Sequence, residues 1–360
     1  MKSNQQLVAA FFPNPSRMQH NPYWAMLIKG LRNQGTAVLE DTPNAFNLSW
    51  LWQHRKQIQI LHIHFPQPFY AEKDEKASLS KALALAFNLL FARAVGYHTI
   101  FTLHDIDPPY ELTPAWVDRL GHRAVIKLSK TIIVHCAEAK HLLKERFNRS
   151  KGVQILALPH YIDTYPNEIS QEQARKKLGY KDPSLFIFGF IGGIRPNKGV
   201  DNLIRAFRQI KDPNLRLLIA GPVNKPASHA QYLQALSGSD RRIRLVLQNI
   251  PAEDLQIVLN AADVIVLPFS KILTSASTIL AMSFRKPVII PETGCLPELI
   301  KDGGGWLFDL GNVDDLIAVM QKAIEARDSL PEMGEQAYQK VVNQSPDAFG
   351  AQTNAIYIEK

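Results

Sequence analysis

Apolar runs of four to six residues recur along the chain, and each is followed by a stretch whose apolar positions repeat at helical spacing. Leu7–Phe12, Ile58–Ile63, Thr99–Leu103, Thr131–Val134 and Gln154–Leu158 read as strands, with helices over Trp24–Gln34, Leu79–Val95 and Glu138–Phe147. After Pro166 the series restarts. Phe186–Ile191, Leu215–Ala220, Ile243–Leu247, Val264–Leu267 and Pro287–Ile290 read as strands, with helices near Val200–Ile210, Ala252–Asn260, Ser277–Phe284, Asp314–Ala326 and Pro331–Asn343. Such alternation predicts an α/β protein built from two successive doubly wound, Rossmann-like domains, each a parallel sheet covered by helices. The polar stretch Pro166–Pro183, with one helix in it, reads as a linker, which places the domains at residues 1–165 and 166–344.

The window Phe186–Phe207 carries the sharpest chemical signal. A buried strand ends in Gly192-Gly193, a turn that lets backbone approach a ligand closely, and Arg195 and Lys198 follow at the strand's carboxyl end. Leu203, Ile204, Phe207 and Ile210 then recur at helical spacing, so the loop opens a helix whose amino end favours anions. A phosphate group suits both features; an ordinary strand-to-helix turn with two solvated cations is the plainer reading. Two familiar phosphate loops are excluded. The Lys precedes a Gly rather than a hydroxyl residue, which rules out a P-loop, and Gly189, Gly192 and Gly193 lack the G-x-G-x-x-G spacing of a dinucleotide fingerprint. An oxidoreductase using a nicotinamide cofactor is disfavoured on the same ground.

Composition leaves this picture standing: 360 residues, 46% hydrophobic and 21% charged, suffice for two cores. Cys136 and Cys295 have no metal or redox spacing and read as lone cysteines of a reducing cytosol. The amino end reaches Pro13 after only six apolar residues, too few for a signal peptide, and Ala82–Gly96 is too short and too polar to span a bilayer. A cytoplasmic protein is expected. Charge is unevenly placed: of the net +8, residues up to Asp163 hold 19 Lys and Arg against 12 Asp and Glu, and ten of the 11 His. A basic half suits an anionic membrane surface, so peripheral attachment to the inner face of a membrane joins the expectation. Its cations lie among apolar residues at helical spacing rather than among exposed aromatics, which argues against nucleic acid.

Polar groups stand at several strand ends. Asn14 follows the first strand, His62 and His64 close another, and His104-Asp105-Ile106-Asp107 follows Thr99–Leu103. In doubly wound sheets ligands sit beyond the carboxyl ends of the strands, so two such domains imply an interdomain cleft with one wall from each.

At this point the chain resembles glycosyltransferases of the two-Rossmann-domain (GT-B) type, in the large family called group 1 or family 4. FIGGIRPNKGVDNLIRAF resembles the segment whose Arg and Lys contact the donor diphosphate, here Arg195 and Lys198 with Gly193 beside them. LRLLIAGP and QNIPAEDLQIVLNAADVIVLPF resemble the two strands that follow, the loop Asn249–Pro251 bordering the donor base through Asn249 and Ile250. KPVIIPETGCLPELIKDGGGWLF resembles the strand, turn and Gly-rich hairpin that place Glu298 on the family's position, on the base and ribose side. SPDAFGAQTNAIY resembles a final helix, here 345–360, that crosses back onto the first domain. In the first half NPY at Asn21–Tyr23, LHIHFP, FTLHD and LPHYI resemble a bacterial subset; the resemblance puts Asn14, Tyr23 and His64 on the acceptor side and His104 near the transferred sugar.

One departure limits the carry-over. The family's two Glu, eight positions apart, fall here on Ile272 and Leu280, so ribose recognition and part of catalysis cannot be transferred. Where the family has a glycine turn this chain has Thr274-Ser275-Ala276-Ser277-Thr278, and Ser275, Ser277 and Thr278 join the diphosphate side through hydroxyls and helix-start N–H groups.

The resemblance implies transfer of a hexosyl group from a UDP- or GDP-linked sugar to a glycolipid or polysaccharide acceptor, with no other cofactor. Charge growing on the leaving diphosphate is met by Arg195 and Lys198. Asp105 is the expected base, with His104 as neighbour or alternative, since an unperturbed His titrates at about 6.5. Asp105-Ile106-Asp107 also spells the D-x-D of metal-dependent transferases, but the cationic loop supplies the charge a metal would bring, so no metal is expected. A non-catalytic relative, serving as a partner subunit or sugar-binding module, is the competing reading, favoured by the two missing carboxylates.

Overall fold

The computed structural model describes residues 6–18, 21–39, 41–108, 112–223 and 228–359. It divides into two compact units, one running to Pro159 and resuming at Gln344, the other His160–Asn343. In the first unit β1 (Val8–Phe12), α1 (Pro22–Asn33), β2 (Ala37–Leu39), α2 (Leu48–His54), β3 (Ile60–Ile63) and α3 (Leu79–Ala94) are followed by β4 (His98–Thr102), α4 (Ala115–Leu128), β5 (Thr131–Val134), α5 (Ala137–Phe147) and β6 (Val153–Ile155). The second unit holds α6 (Gln171–Lys177), β7 (Phe186–Ile191), α7 (Val200–Gln209), β8 (Leu215–Ala220), α8 (Ser228–Ser237), β9 (Ile243–Val246), α9 (Leu255–Ala261) and β10 (Val264–Val266). It continues through α10 (Ala276–Ser283), β11 (Val288–Pro291), α11 (Leu296–Ile300), β12 (Gly305–Phe308), α12 (Val313–Glu325) and α13 (Leu330–Val341), before α14 (Pro346–Ile358) returns to the first unit.

Both sheets are six-stranded and parallel throughout, in the orders β2-β1-β3-β4-β5-β6 and β12-β11-β10-β7-β8-β9. Central strands such as β7, FIFGFI, are buried at every position, as a strand covered on both faces requires. Strand order reverses beside β1 in the first sheet and between β7 and β10 in the second. Those reversals open crevices at the carboxyl ends of β1 and β3, and of β7 and β10.

On one face of the first sheet α1 packs against α14, and Phe11, Trp24, Leu27 and Leu31 share a core with Phe349, Ile356 and Tyr357. The two helices cross at glycines: a Cβ on Gly30 would lie 2.8 Å from Gly350 Cα. Asn33 donates to Asp347 (3.0 Å) and Thr36 to Asn354 (2.5 Å), fixing the register of the returning helix.

Four expectations need correction. The domain boundary lies at Pro159/His160 rather than after residue 165, because the Tyr161 N–H donates to Ser283 Oγ (3.0 Å) and Tyr161 stacks on Tyr165, binding this segment into the second unit. The stretch Pro166–Pro183 is not a linker. Its helix α6 packs on α9, and the buried Arg175 pairs with Asp263 at 2.7 Å while donating to the Ala261 and Leu185 carbonyls. Nor do Gly303 and Gly304 make a hairpin: α11 intervenes, and β12 runs parallel to β11. Neither cysteine is a free thiol, which removes the support the two lone cysteines gave to a reducing compartment. Among the described residues no helix is long and apolar enough to cross a membrane.

Candidate active site

In the second unit the crevice between β7 and β10 is bordered by two loops that clasp each other. The chain leaves β7 through Gly192, whose φ of 135° suits glycine alone; a Cβ there would meet Ser277 Oγ at 2.9 Å. Gly192, rather than the expected Gly193, therefore carries the special backbone and seats the start of α10 against the β7 turn. Arg195 is extended and leads into a short 3-10 turn, Pro196–Lys198, closed by Gly199 at φ 66°. A Cβ on Gly199 would lie 1.9 Å from the Pro268 carbonyl, and Ser270 N–H donates to the Asn197 carbonyl (3.1 Å). The loop after β10 is thus locked onto the cationic turn, and Lys198 Nζ sits 4.5 Å from the centre of the Phe269 ring. Both cations are half-buried, which strengthens their field at the crevice relative to a solvated surface.

At the amino end of α10 the hydroxyls are committed inward. Ser275 Oγ caps the helix by accepting the Thr278 N–H (3.1 Å) and also accepts the Thr278 hydroxyl (2.9 Å). Thr278 is fully buried and Ser275 nearly so, so neither side chain can reach a ligand as expected; their role is to shape the helix start. Half-buried Ser277, with the N–H groups of Ala276 and Ser277, lines the first turn. Ile272 and Leu280, where the resemblance leads one to expect carboxylates, flank this turn half-buried. Asn249 is exposed and Ile250 half-buried after β9, while exposed Glu298 opens α11.

The first unit gathers imidazoles at the carboxyl ends of β3, β4 and β5. His64 is almost fully buried, stacked edge-on against Trp24 with ring centres 4.4 Å apart, and its Nδ1 lies 3.1 Å from His104 Nε2. Half-buried His104 stacks on Phe65 (5.0 Å), meets the edge of Tyr23 (5.6 Å) and lies 5.4 Å from the His135 ring. Deeper still, His62 bonds Thr102 Oγ1 (2.7 Å) and the hydroxyl of Tyr357 on α14 (2.6 Å). Burial, reinforced by neighbouring imidazoles, holds His64 and His104 well below 6.5 and brings His62 down to about 3; burial alone brings His135 to about 4. At neutral pH all four are uncharged. The expectation of a His104 titrating in the working range is overturned.

His64 therefore stands behind His104 rather than facing an acceptor. Asn14 is likewise turned inward, its amide donating to the Thr42 carbonyl (2.7 Å) and accepting the Ser16 N–H (2.8 Å). Tyr23, mostly buried, props His104 and His64. Half-buried Asp105 follows His104, whereas Asp107 is held by Arg146 in two bonds of 2.7 and 3.1 Å. His135 was not foreseen. Its Nδ1 bonds the Leu156 carbonyl (2.8 Å), which puts the proton there and leaves Nε2 an acceptor. The signal was available, for it follows β5 as His64 and His104 follow β3 and β4.

Comparison with known proteins fits this arrangement. Residues 170–340, within the second unit, match the family Glycosyl transferases group 1. A GDP-mannose:glycolipid 4-beta-D-mannosyltransferase of Xanthomonas campestris pv. campestris is 25% identical over 256 residues, 69% of this chain and 66% of that protein. A D-inositol 3-phosphate glycosyltransferase of Corynebacterium efficiens is 29% identical over 54% of this chain and 47% of its own length. The chain thus spans about half to two thirds of the curated relatives it matches. Among solved structures, sucrose-phosphate synthase from Thermosynechococcus elongatus superposes with TM-score 0.75 at 16% identity over 98% of both chains. Anabaena HepE in complex with UDP-glucose superposes with TM-score 0.73 at 14% identity, over 97% of this chain and 98% of that one. Two parallel Rossmann-like sheets give this chain the GT-B fold of these neighbours, and its residues 170–340, the cationic turn after β7 among them, match the group 1 glycosyl transferases.

Proposed function

We propose that the protein transfers a hexosyl group from a nucleoside diphosphate sugar, UDP- or GDP-linked, to a glycolipid or polysaccharide acceptor at an anionic membrane surface, without a metal. The observation that carries the reading is the clasped turn that holds Arg195 and Lys198 at the β7/β10 crevice. Departure of a diphosphate concentrates negative charge on its oxygens while the sugar approaches an oxocarbenium ion. Arg195, Lys198 and the N–H groups that open α10 supply fixed positive ends for that charge. In the first unit neutral His104, held by His64, Tyr23 and Phe65, is suited to hydrogen bonding with a sugar hydroxyl, and Asp105 beside it in the chain takes the acceptor proton. The names of the Xanthomonas and Corynebacterium relatives support a sugar nucleotide and a lipid-linked or inositol-type acceptor.

Ile272 and Leu280 favour a second reading, a non-catalytic relative that serves as a partner subunit or sugar-binding module. One assay separates the two: incubation of the protein with labelled UDP- and GDP-hexoses and a lipid extract, with and without EDTA. The proposal expects lipid-extractable label from one donor, undiminished by EDTA and lost in Arg195→Ala. Nucleotide binding without transfer from any donor in the panel favours the second reading, and transfer abolished by EDTA and restored by manganese refutes the metal-free mechanism.

A further inference from the structure

The outer face of α2, α3 and α4 is unlike an ordinary helical surface. The steps β2 to β3, β3 to β4 and β4 to β5 all run the same way across a parallel sheet, so right-handed crossovers put these three helices side by side on one face. They pack on each other in that order. On α3 the buried stripe is Ala82, Leu85, Leu89 and Ala92, and the opposite stripe should be polar. It is not: Leu83 is 56% exposed, Phe87 59% and Leu90 51%, and the neighbouring helices add Trp116 at 53% and Trp52 at 54%. Apolar side chains clustered this way on a surface mark a docking site rather than chance exposure.

The charges that these helices leave unburied are all positive. Lys81, Arg93, Arg119, Arg123 and Lys127 face a single carboxylate, Asp118, which is buried and accepts from the Tyr70 hydroxyl (2.9 Å) and the Leu112 N–H (3.1 Å). Lys81 is partnered from outside the helices by Glu72 at 3.3 Å, whereas Arg119 and Arg123 are exposed. Just after α2, Arg55 lies over the Trp52 ring at 3.5 Å. Exposed Phe and Trp do stand among these cations, contrary to the sequence expectation, and together with the Leu side chains they suit the boundary of an anionic bilayer, where rings and alkyl chains enter the acyl region and cations meet phosphates. A second copy would set like charges against each other, which disfavours self-association through this face.

We infer that the α2–α3–α4 face of the first unit docks on an anionic phospholipid surface, with Leu83, Phe87, Leu90, Trp116 and Trp52 as the inserted side chains and Arg119 and Arg123 as headgroup contacts. The inference deepens the membrane part of the proposed function, and its test reads lipid binding alone, so its failure leaves sugar transfer untouched.

The test is co-sedimentation of the full chain with phosphatidylcholine vesicles with and without about 30% phosphatidylglycerol, at low salt and about 0.5 M salt. Binding about tenfold stronger to the anionic vesicles is expected, falling about tenfold in the triple variant Leu83→Ser/Phe87→Ser/Leu90→Ser and in Arg119→Glu/Arg123→Glu. Exposed positions should tolerate these changes, so thermal midpoints should match the parent, and Leu310→Ser on the second unit should bind as the parent does. Equal binding by the triple variant, equal binding to neutral and anionic vesicles, or a dimer in solution that the same substitutions dissolve would each overturn the inference.

Discussion

His64 Nδ1 and His104 Nε2 face each other at 3.1 Å, so one imidazole must donate and the other accept. Both are neutral, because burial and neighbouring imidazoles hold them far below 6.5. His64 thus sets the tautomer and orientation of His104, the half-buried member of the pair.

Replacing His64 by Phe should keep the packing against Trp24 while losing that hydrogen bond. The expected result is a fall in kcat of roughly tenfold, on the scale of one positioned hydrogen bond, with the donor KM little changed. His104→Ala should cost more, and the pH profile of the parent should have no inflection near 6.5 that His104→Gln removes. Steady-state kinetics across pH 5–9 checks both; an acid limb at about 6.5 that disappears in His104→Gln would refute a neutral His104.

Acid should loosen the first unit well before carboxylates protonate. His62 and His135 keep pKa values of about 3 and about 4 in the fold but recover about 6.5 when unfolded. Below 6.5 the unfolded chain binds protons that the native one refuses, so stability is unaffected above 6.5 and falls as pH drops from there toward 3. Each such group contributes up to about 1.4 kcal/mol per pH unit within its window. Urea midpoints followed from pH 7.5 to 4.5 should decline steadily, whereas a flat profile contradicts the buried neutral cluster.

Gly192→Ala should damage both stability and ligand binding. With φ at 135° and Ser277 Oγ 2.9 Å from the new methyl, the turn must shift or strain at a cost of about 1–3 kcal/mol. Since that turn seats α10 beside Arg195, nucleotide affinity should weaken together with the unfolding midpoint. A stable variant with unaltered affinity would mean the turn plays no part in the donor site.

The return of α14 to the first unit rests on a glycine crossing. Gly30→Ala places a methyl 2.8 Å from Gly350 Cα, where backbone cannot yield like a flexible side chain, and should destabilise by about 1–3 kcal/mol. Gly30 lies inside α1 and takes no positive φ, so the loss read by thermal unfolding reports the clash at the crossing, and unchanged stability would contradict it.

The β7–α7 region was readable because a fully buried strand, a glycine turn and a strongly amphipathic helix all agree there. Elements that escaped had weak or contradictory patterns. Ala37–Leu39 is a three-residue edge strand, and Ser228–Ser237 buries few positions, two of the three polar. On α4 outward Trp116 and Leu120 blur the contrast between faces that periodicity relies on, and on α2 outward Leu48 and Trp52 do the same. Within the site, residue types were legible but commitments were not. Whether Ser275 and Thr278 face a ligand or their own loop depends on a cap closing at three-residue range, which sequence spacing permits without requiring, and Asn14 is turned inward by Thr42, 28 residues along the chain. The depressed His pKa values follow from burial, a tertiary property invisible in the motif FTLHD.

Titration calorimetry of UDP and GDP against the parent, Arg195→Ala and Lys198→Ala tests the central claim most directly, that the turn after β7 holds a nucleoside diphosphate. One nucleotide should bind the parent, and each substitution should weaken it at least about tenfold, the scale of a lost charge-assisted contact to phosphate. Binding of neither nucleotide, or equal affinity in parent and Arg195→Ala, would contradict the account.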